Sequence, residues 1–121
     1  MSIFDSFYSP ALELVTIIIP TFNRSAKLAE TLDALALQDY KHFRVIVIDD
    51  GSKDNTAEII GEKRKQLPFP VEYFFQPNSG ASAATNNGVS KAGKGLVILI
   101  DDDIIAERGM INSHLAFHRE H

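Results

Sequence analysis

Val45-Ile46-Val47-Ile48 runs directly into Asp49-Asp50-Gly51-Ser52, and that join decides the fold. Consecutive β-branched residues with no polar alternation describe a strand buried on both faces, which is the habit of a parallel sheet covered by helices. Gly51 and Ser52 favour a turn, so the strand ends abruptly with two carboxylates at its carboxyl end. Three further apolar runs have the same character: Val15–Ile19, Val71–Phe75 and Leu96–Ile100. Helical spacing fills the gaps. Leu28, Leu32 and Leu35 fall at i, i+4 and i+7, with Ser25 as the expected N-cap. Asn55 followed by Glu58 marks a second helix start, with Ile59 and Ile60 as its buried positions. Residues 81–92, rich in Ala and Asn and closed by Gly93 and Gly95, form a third helix that looks weak in isolation. Residues 66–70, Gln-Leu-Pro-Phe-Pro, read as a turn. The order β-α-β-α-β-α-β calls for an α/β sheet with right-handed crossovers.

The chain has 121 residues, 12 Lys plus Arg, 16 Asp plus Glu and a net charge of -4, with 45% hydrophobic and 23% charged residues. That suits one domain able to bury a core without covalent staples. Zero cysteines exclude a disulfide framework, a thiol nucleophile and a thiolate zinc site. The mildly acidic balance argues against a nucleic-acid surface built on phosphate neutralisation, but a small anionic ligand needs only a local site. No apolar run approaches the roughly 20 residues that span a bilayer. The start lacks the basic and apolar regions of a signal peptide, so the expected location is cytoplasmic. Residues 1–14 carry Phe4, Phe7, Tyr8 and Leu12 and are expected to dock as a lead-in.

Ligands of such sheets sit beyond the carboxyl ends of the strands. The loops to read are therefore Pro20-Thr21-Phe22-Asn23, Asp49-Asp50-Gly51-Ser52, Gln76-Pro77-Asn78 and Asp101-Asp102-Asp103. Three adjacent carboxylates repel one another, and the natural remedy is a divalent cation such as Mg²⁺ or Mn²⁺, which accepts one or two carboxylates plus phosphate oxygens from a substrate. The plain alternative is a solvated acidic turn. A carboxylate such as Asp50 can accept hydrogen bonds from ribose or base, although Asp-Gly-Ser also makes a good turn and Asp54 or Asn55 can cap the next helix.

Other motifs weaken on inspection. Gly88 to Gly95 nearly matches a phosphate-binding loop, but it lacks the final Ser/Thr and precedes a strand rather than a helix. No GxGxxG follows a strand. Asp101 to Ile105 has the start of an aspartyl-phosphate motif without its Thr. His114 and His118 have metal-binding spacing but no carboxylate in register, and surface or packing roles suit them better. Asn23-Arg24-Ser25 fits a glycosylation acceptor with nothing to indicate secretion.

Taken in order, the motifs resemble the N-terminal half of a family 2 glycosyltransferase of the GT-A fold. Residues 15–24 resemble its first strand and loop. Gln38-Asp39-Tyr40 followed by Phe43 to Ser52 resembles its second strand and Asp-Asp-Gly-Ser turn. Asn78 to Gly88 resembles its N-x-G-x-x-x-A-x-N-x-G segment, and Asp101-Asp102-Asp103 resembles its DxD motif. The resemblance implies a Rossmann-like three-layer sandwich, mostly parallel, with strand order 3-2-1-4 and truncated. Residues 15–121 would be the half that binds a nucleotide-diphosphate sugar. It implies nucleoside contacts from Pro20, Thr21, Phe22 and Asp50, and donor contacts from Asp101 and Asp102. Asp101 and Asp103 would hold Mn²⁺ or Mg²⁺, with Asp103 the more direct ligand. Relatives commonly carry an Arg where Thr85 stands, leaving Lys91, Lys94 or Arg24 to meet the diphosphate.

The implied chemistry is metal-dependent transfer of a sugar from a UDP-, GDP- or dTDP-sugar to a hydroxyl of a glycan, lipid or other acceptor, with inversion. The family's catalytic base lies well downstream of DxD, so the chain reads as a fragment whose base lies beyond His121 and which is inactive alone. An intact enzyme could also sit at the inner face of a membrane. An open sheet edge implies self-association. The rival readings are a non-catalytic nucleotide-binding module and, further off, a receiver-like signalling domain. The latter wants an acidic pair after the first strand and an Asp after the third, where Pro20-Thr21 and Gln76-Pro77 stand.

Overall fold

The computed structural model describes residues 13–120, so the lead-in expectation, apart from Glu13 and Leu14, lies outside the described residues. In chain order the elements are β1 (Val15–Thr21), α1 (Ser25–Leu35), β2 (Phe43–Asp49), α2 (Thr56–Lys63), β3 (Val71–Phe75), α3 (Ala81–Ala92), β4 (Val97–Leu99) and α4 (Met110–Glu120). The four strands form one parallel sheet in the order β3-β2-β1-β4. This is the α/β architecture and the strand order that the motifs imply.

The Val/Ile runs are buried on both faces, as parallel strands require. Odd-numbered residues of β1 and β2 (Ile17, Ile19, Val45 and Val47) face a core shared with Leu28, Leu32 and Leu35 of α1, Ile60 of α2, and Ile111 and Leu115 of α4. Phe43 and Phe69 close its lower end, with ring centroids 4.7 Å apart. Even-numbered Ile18, Ile46 and Ile48 face α3, which meets them with Ala84 and Ala92. Gly88 sits between those two alanines on the same stripe, and a Cβ built there would come 2.4 Å from Ile18 Cγ2. The helix that looks weak by propensity is therefore one whose small residues let it lie flat on the sheet. Its C-terminus is capped from the sheet, because the Arg44 guanidinium donates to the carbonyls of Ala92 and Lys91.

Two expectations change in detail. β4 is shorter than Leu96–Ile100 by one residue at each end, and at the carboxyl end Pro20 explains why. Thr16 N–H donates to Leu96 O and Ile100 N–H to Ile18 O, so the even-numbered residues of β1 address β4. Pro20 is next in that series and has no N–H to give, so the ladder stops and the two strands part. Ser25 is not the N-cap of α1. Arg24 holds that position, and no side chain next to it in sequence caps the helix. The cap arrives from the loop between β2 and α2, where Asp54 Oδ2 accepts the Ser25 N–H at 3.2 Å while the Ser25 hydroxyl donates to Asn55. Asp54 Oδ1 also accepts the Thr56 N–H at 3.0 Å, so one carboxylate serves the starts of both α1 and α2.

The connection from β4 to α4 is fastened by Gln38. Its side chain is fully buried, donates to Glu107 O and accepts the Ile111 N–H at 3.0 Å. Beside it, Asp39 N–H donates to Arg108 O at 2.9 Å. Among the described residues no helix is long and apolar enough to cross a membrane.

Candidate nucleotide-sugar site

Where β1 and β4 part, the connections also change direction: β1 leads to β2 on one side and β3 crosses to β4 on the other. A cleft of about 380 Å³ opens there, beyond the carboxyl ends of the strands. Its walls come from four loops and one helix start. The first loop supplies Pro20, Thr21, Phe22 and Arg24, the second Asp50, the third Asn78 and Gly80, and the loop after β4 Asp102. Ala81 and Ala84 of α3 form an apolar floor.

These loops are locked to one another by backbone-directed hydrogen bonds. Asp50 N–H donates to Thr21 O at 2.9 Å, continuing the β1–β2 ladder into the turns. Asn23 adopts φ 52°, a left-handed conformation that asparagine tolerates better than most residues. It is held there from both sides. Its N–H donates to Ser52 Oγ at 2.8 Å, and its side-chain oxygen accepts the Lys53 N–H at 2.7 Å. Asp49 faces inward as a turn-builder: one oxygen accepts the Ser52 N–H at 2.8 Å and the other the Tyr73 hydroxyl at 2.6 Å. Burial and that carboxylate together push the Tyr73 phenol far above its ordinary value.

Asp50 lines the cleft, yet both of its oxygens are occupied. Oδ1 accepts from Gln76 Nε2 and Ser79 N–H, each at 2.8 Å. Oδ2 accepts from Gly80 N–H at 3.0 Å and Asn78 Nδ2 at 3.2 Å. Burial alone would raise its pKa, but the donors from Ser79, Gln76 and Gly80 outweigh it and hold the carboxyl below the usual carboxylate range. An ionised Asp50 thus folds the Asn78–Gly80 turn into a cleft wall. Gly51 fits underneath with φ 87°, where a Cβ would meet the Asn78 backbone at 2.8 Å.

The acidic triplet splits. Asp102 is turned inward and is 7% exposed, with Oδ2 accepting the Thr21 hydroxyl at 2.9 Å and its carbonyl accepting the Thr31 hydroxyl at 2.8 Å. Asp101 and Asp103 stay exposed beside it and do not line the cleft. Burial raises the Asp102 carboxyl; the Thr21 hydrogen bond and the Arg24 charge pull it down, and Asp103 and Asp101 push it up again, leaving it above the ordinary value. Arg24 Nη1 stands 3.2 Å from Asp103 Oδ2 and 3.5 Å from Asp102 Oδ1.

Among the described residues no three His, Asp or Glu side chains gather as a ready-made metal cage. The donor set nevertheless fits a hard divalent cation: two exposed carboxylates flank a cleft, leaving most of the coordination sphere to water and phosphate oxygens. His118 has another use, with Nε2 3.6 Å from Glu13 Oε2.

Of the residues singled out in the sequence, Pro20, Thr21, Phe22, Asp50 and Asp102 therefore line one cleft. Arg24, one of the three cations that the sequence offers to the diphosphate, lines it too, whereas Gly80, Ala81 and Ala84 were not assigned to it. The inward turn of Asp102 had a signal in period-2 alternation, since Ile98 faces the α1 core and Ile100 packs against it, and Asp102 continues that series.

Comparison with known proteins follows the same lines. The model of the family described as Glycosyl transferase family 2 matches residues 16–121. Validoxylamine A glucosyltransferase of Streptomyces hygroscopicus subsp. jinggangensis is 35% identical over 109 residues, covering 87% of this chain and 25% of that protein. The crystal structure of residues 1–349 of Staphylococcus aureus TarS in complex with UDP-GlcNAc superposes with a TM-score of 0.79 at 30% identity, covering 88% of this chain and 31% of that one. The mannosyltransferase PcManGT from Pyrobaculum calidifontis, solved with GDP-Man and Mn²⁺, shares the fold with a TM-score of 0.77 at 24% identity, over 84% of this chain and 31% of its own. The first curated relatives are matched over 14% to 34% of their length. With the family model spanning nearly all of the described chain, and the strand order in agreement, the chain belongs to the family 2 glycosyltransferases.

Proposed function

We propose that the cleft binds the nucleoside diphosphate portion of a nucleotide-diphosphate sugar, and that the chain supplies the donor half of a metal-dependent, inverting sugar transfer to an acceptor hydroxyl. The observation that carries this reading is the meeting of the Asp50 and Asp102 loops across one cleft at the switch point of the sheet. The bound UDP-GlcNAc of the TarS structure supports the ligand class.

The residues divide the work by chemistry. Phe22 and Pro20 offer apolar surface to a base. Asp50 contributes to the nucleoside pocket through the turn it holds, since its own oxygens are occupied. Asp102, fixed by Thr21, is the carboxylate aimed into the cleft and suits the ribose hydroxyls. Asp101 and Asp103 would hold Mn²⁺ or Mg²⁺, which when bound supplies Lewis-acid stabilisation of the departing diphosphate. In the transfer, the anomeric carbon–oxygen bond to the diphosphate breaks as the acceptor oxygen attacks from the opposite face. Acceptor deprotonation is not assigned to any residue of this chain.

Calorimetric titration with UDP, GDP and dTDP, each with and without Mn²⁺, tests the reading. One nucleotide should bind in a Mn²⁺-dependent manner, and Asp103→Asn should weaken that binding roughly tenfold or more while leaving the melting temperature unchanged. A folded wild-type chain that binds none of the three overturns it.

A further inference from the structure

Arg24 is the one cation among the described residues that line the cleft. Lys91 lies over the Phe74 ring at 4.7 Å, in the last turn of α3 and away from its cleft-facing start. The Arg24 backbone is fixed as the N-cap residue of α1, its carbonyl accepting the Leu28 N–H at 2.9 Å. Its side chain is held far more loosely. It is 55% exposed, and one nitrogen, Nη1, is divided between Asp103 at 3.2 Å and Asp102 at 3.5 Å. Nε and Nη2 donate to no described residue. A guanidinium used at one corner, beside a cleft with no other cation, keeps the flat two-donor edge that matches a phosphate.

The pairing has a second side. Arg24 partly neutralises carboxylates that must be free if a divalent cation is to use Asp103. Two cations compete for one carboxylate unless an incoming anion relocates one of them.

We infer that Arg24 is a transferable counter-charge: in the empty cleft it neutralises Asp102 and Asp103, and on donor binding it leaves Asp103 and takes the diphosphate of the nucleotide. The inference rests on the donor-binding reading. Its consequence is that Arg24 acts in opposite directions on the two components, opposing the metal alone and favouring the nucleotide. It also makes metal and nucleotide bind cooperatively, because the nucleotide draws away the competitor of the metal.

The test is titration of the wild-type chain, Arg24→Gln and Arg24→Lys at low ionic strength with MnCl₂ alone and with UDP or GDP in saturating Mn²⁺, alongside circular dichroism and thermal melting. Arg24→Gln should bind Mn²⁺ alone roughly twofold to fivefold more tightly and the nucleotide roughly tenfold or more weakly. Arg24→Lys, which keeps the charge and loses the fork, should fall between the two for nucleotide and match the wild type for Mn²⁺. Nucleotide affinity unchanged in Arg24→Gln, or Mn²⁺ affinity unchanged or weakened in it, overturns this inference alone. Failure of the folded wild-type chain to bind any of UDP, GDP and dTDP overturns both this inference and the donor-binding reading.

Discussion

At the scale of single residues, the carboxylates of this chain do four different jobs. Asp49 builds a turn, Asp50 folds a wall, Asp54 caps helices and Asp102 faces the cleft. Asp54 shows how far a local reading reaches. The sequence pattern nominates it, with Asn55, as a cap for α2, and that is where one of its oxygens goes. Nothing local says that its other oxygen caps α1, because the partner Ser25 lies 29 residues away. For the same reason Ser25 reads as a cap when it is in fact capped. Asp54→Ala should cost about 1 kcal/mol for each helix start it serves, measured as the loss of stability in urea unfolding at neutral pH. The pKa of Asp54 lies below its ordinary 3.8, chiefly because the Thr56 hydroxyl donates to it, against the opposing effect of burial. Asp50 is lowered likewise. A depressed carboxylate contributes stability that is present above its unfolded pKa and is lost as pH falls through the folded value. Wild-type stability should therefore decline below about pH 4, and Asp54→Asn should show a shallower decline over the same range.

Among the elements, α3 is the instructive one. Its composition argues for a poor helix, and its expected limits, 81–92, match the structure. What the sequence hides is the reason. Ala84, Gly88 and Ala92 are spaced to let the helix approach β1 and β2 closely, and the match of small to large is visible only once Ile18 and Ile48 lie beneath them. Two helical glycines then make a controlled comparison. Gly88→Ala would drive a Cβ to 2.4 Å from Ile18 Cγ2. Overpacking of about 1–3 kcal/mol should exceed the ~1 kcal/mol gain in helix propensity. Gly61 in α2 has open space where its Cβ would go, so Gly61→Ala should stabilise by roughly 0.5–1 kcal/mol. Urea midpoints of the two variants should move in opposite directions.

Across the whole molecule, the strands and the loops that line the cleft were legible because both rest on apolar runs and on what directly follows them, whereas the strand order came from the resemblance of the motifs to a family. Pro20 marks in the sequence the point where two strands will part, although which neighbour it deserts depends on β4 lying on that side. Gln38 was the least legible. A polar residue between helix and strand reads as surface, yet it is fully buried because its amide joins Glu107 O to the Ile111 N–H. That junction fastens the far end of the segment that leaves the cleft, while Thr21 and Thr31 fasten the near end at Asp102. Between them Ile104 and Ile105 are exposed, and a run so short and tied at both ends cannot be drawn out as a protease substrate without releasing a tie. The peptide bond after Arg108 lies at the clamp itself, its carbonyl taken by Asp39 N–H. Trypsin should spare that bond in the native chain and cut it readily in Gln38→Ala, so the rate of nicking at Arg108 becomes a clock for how often the clamp opens.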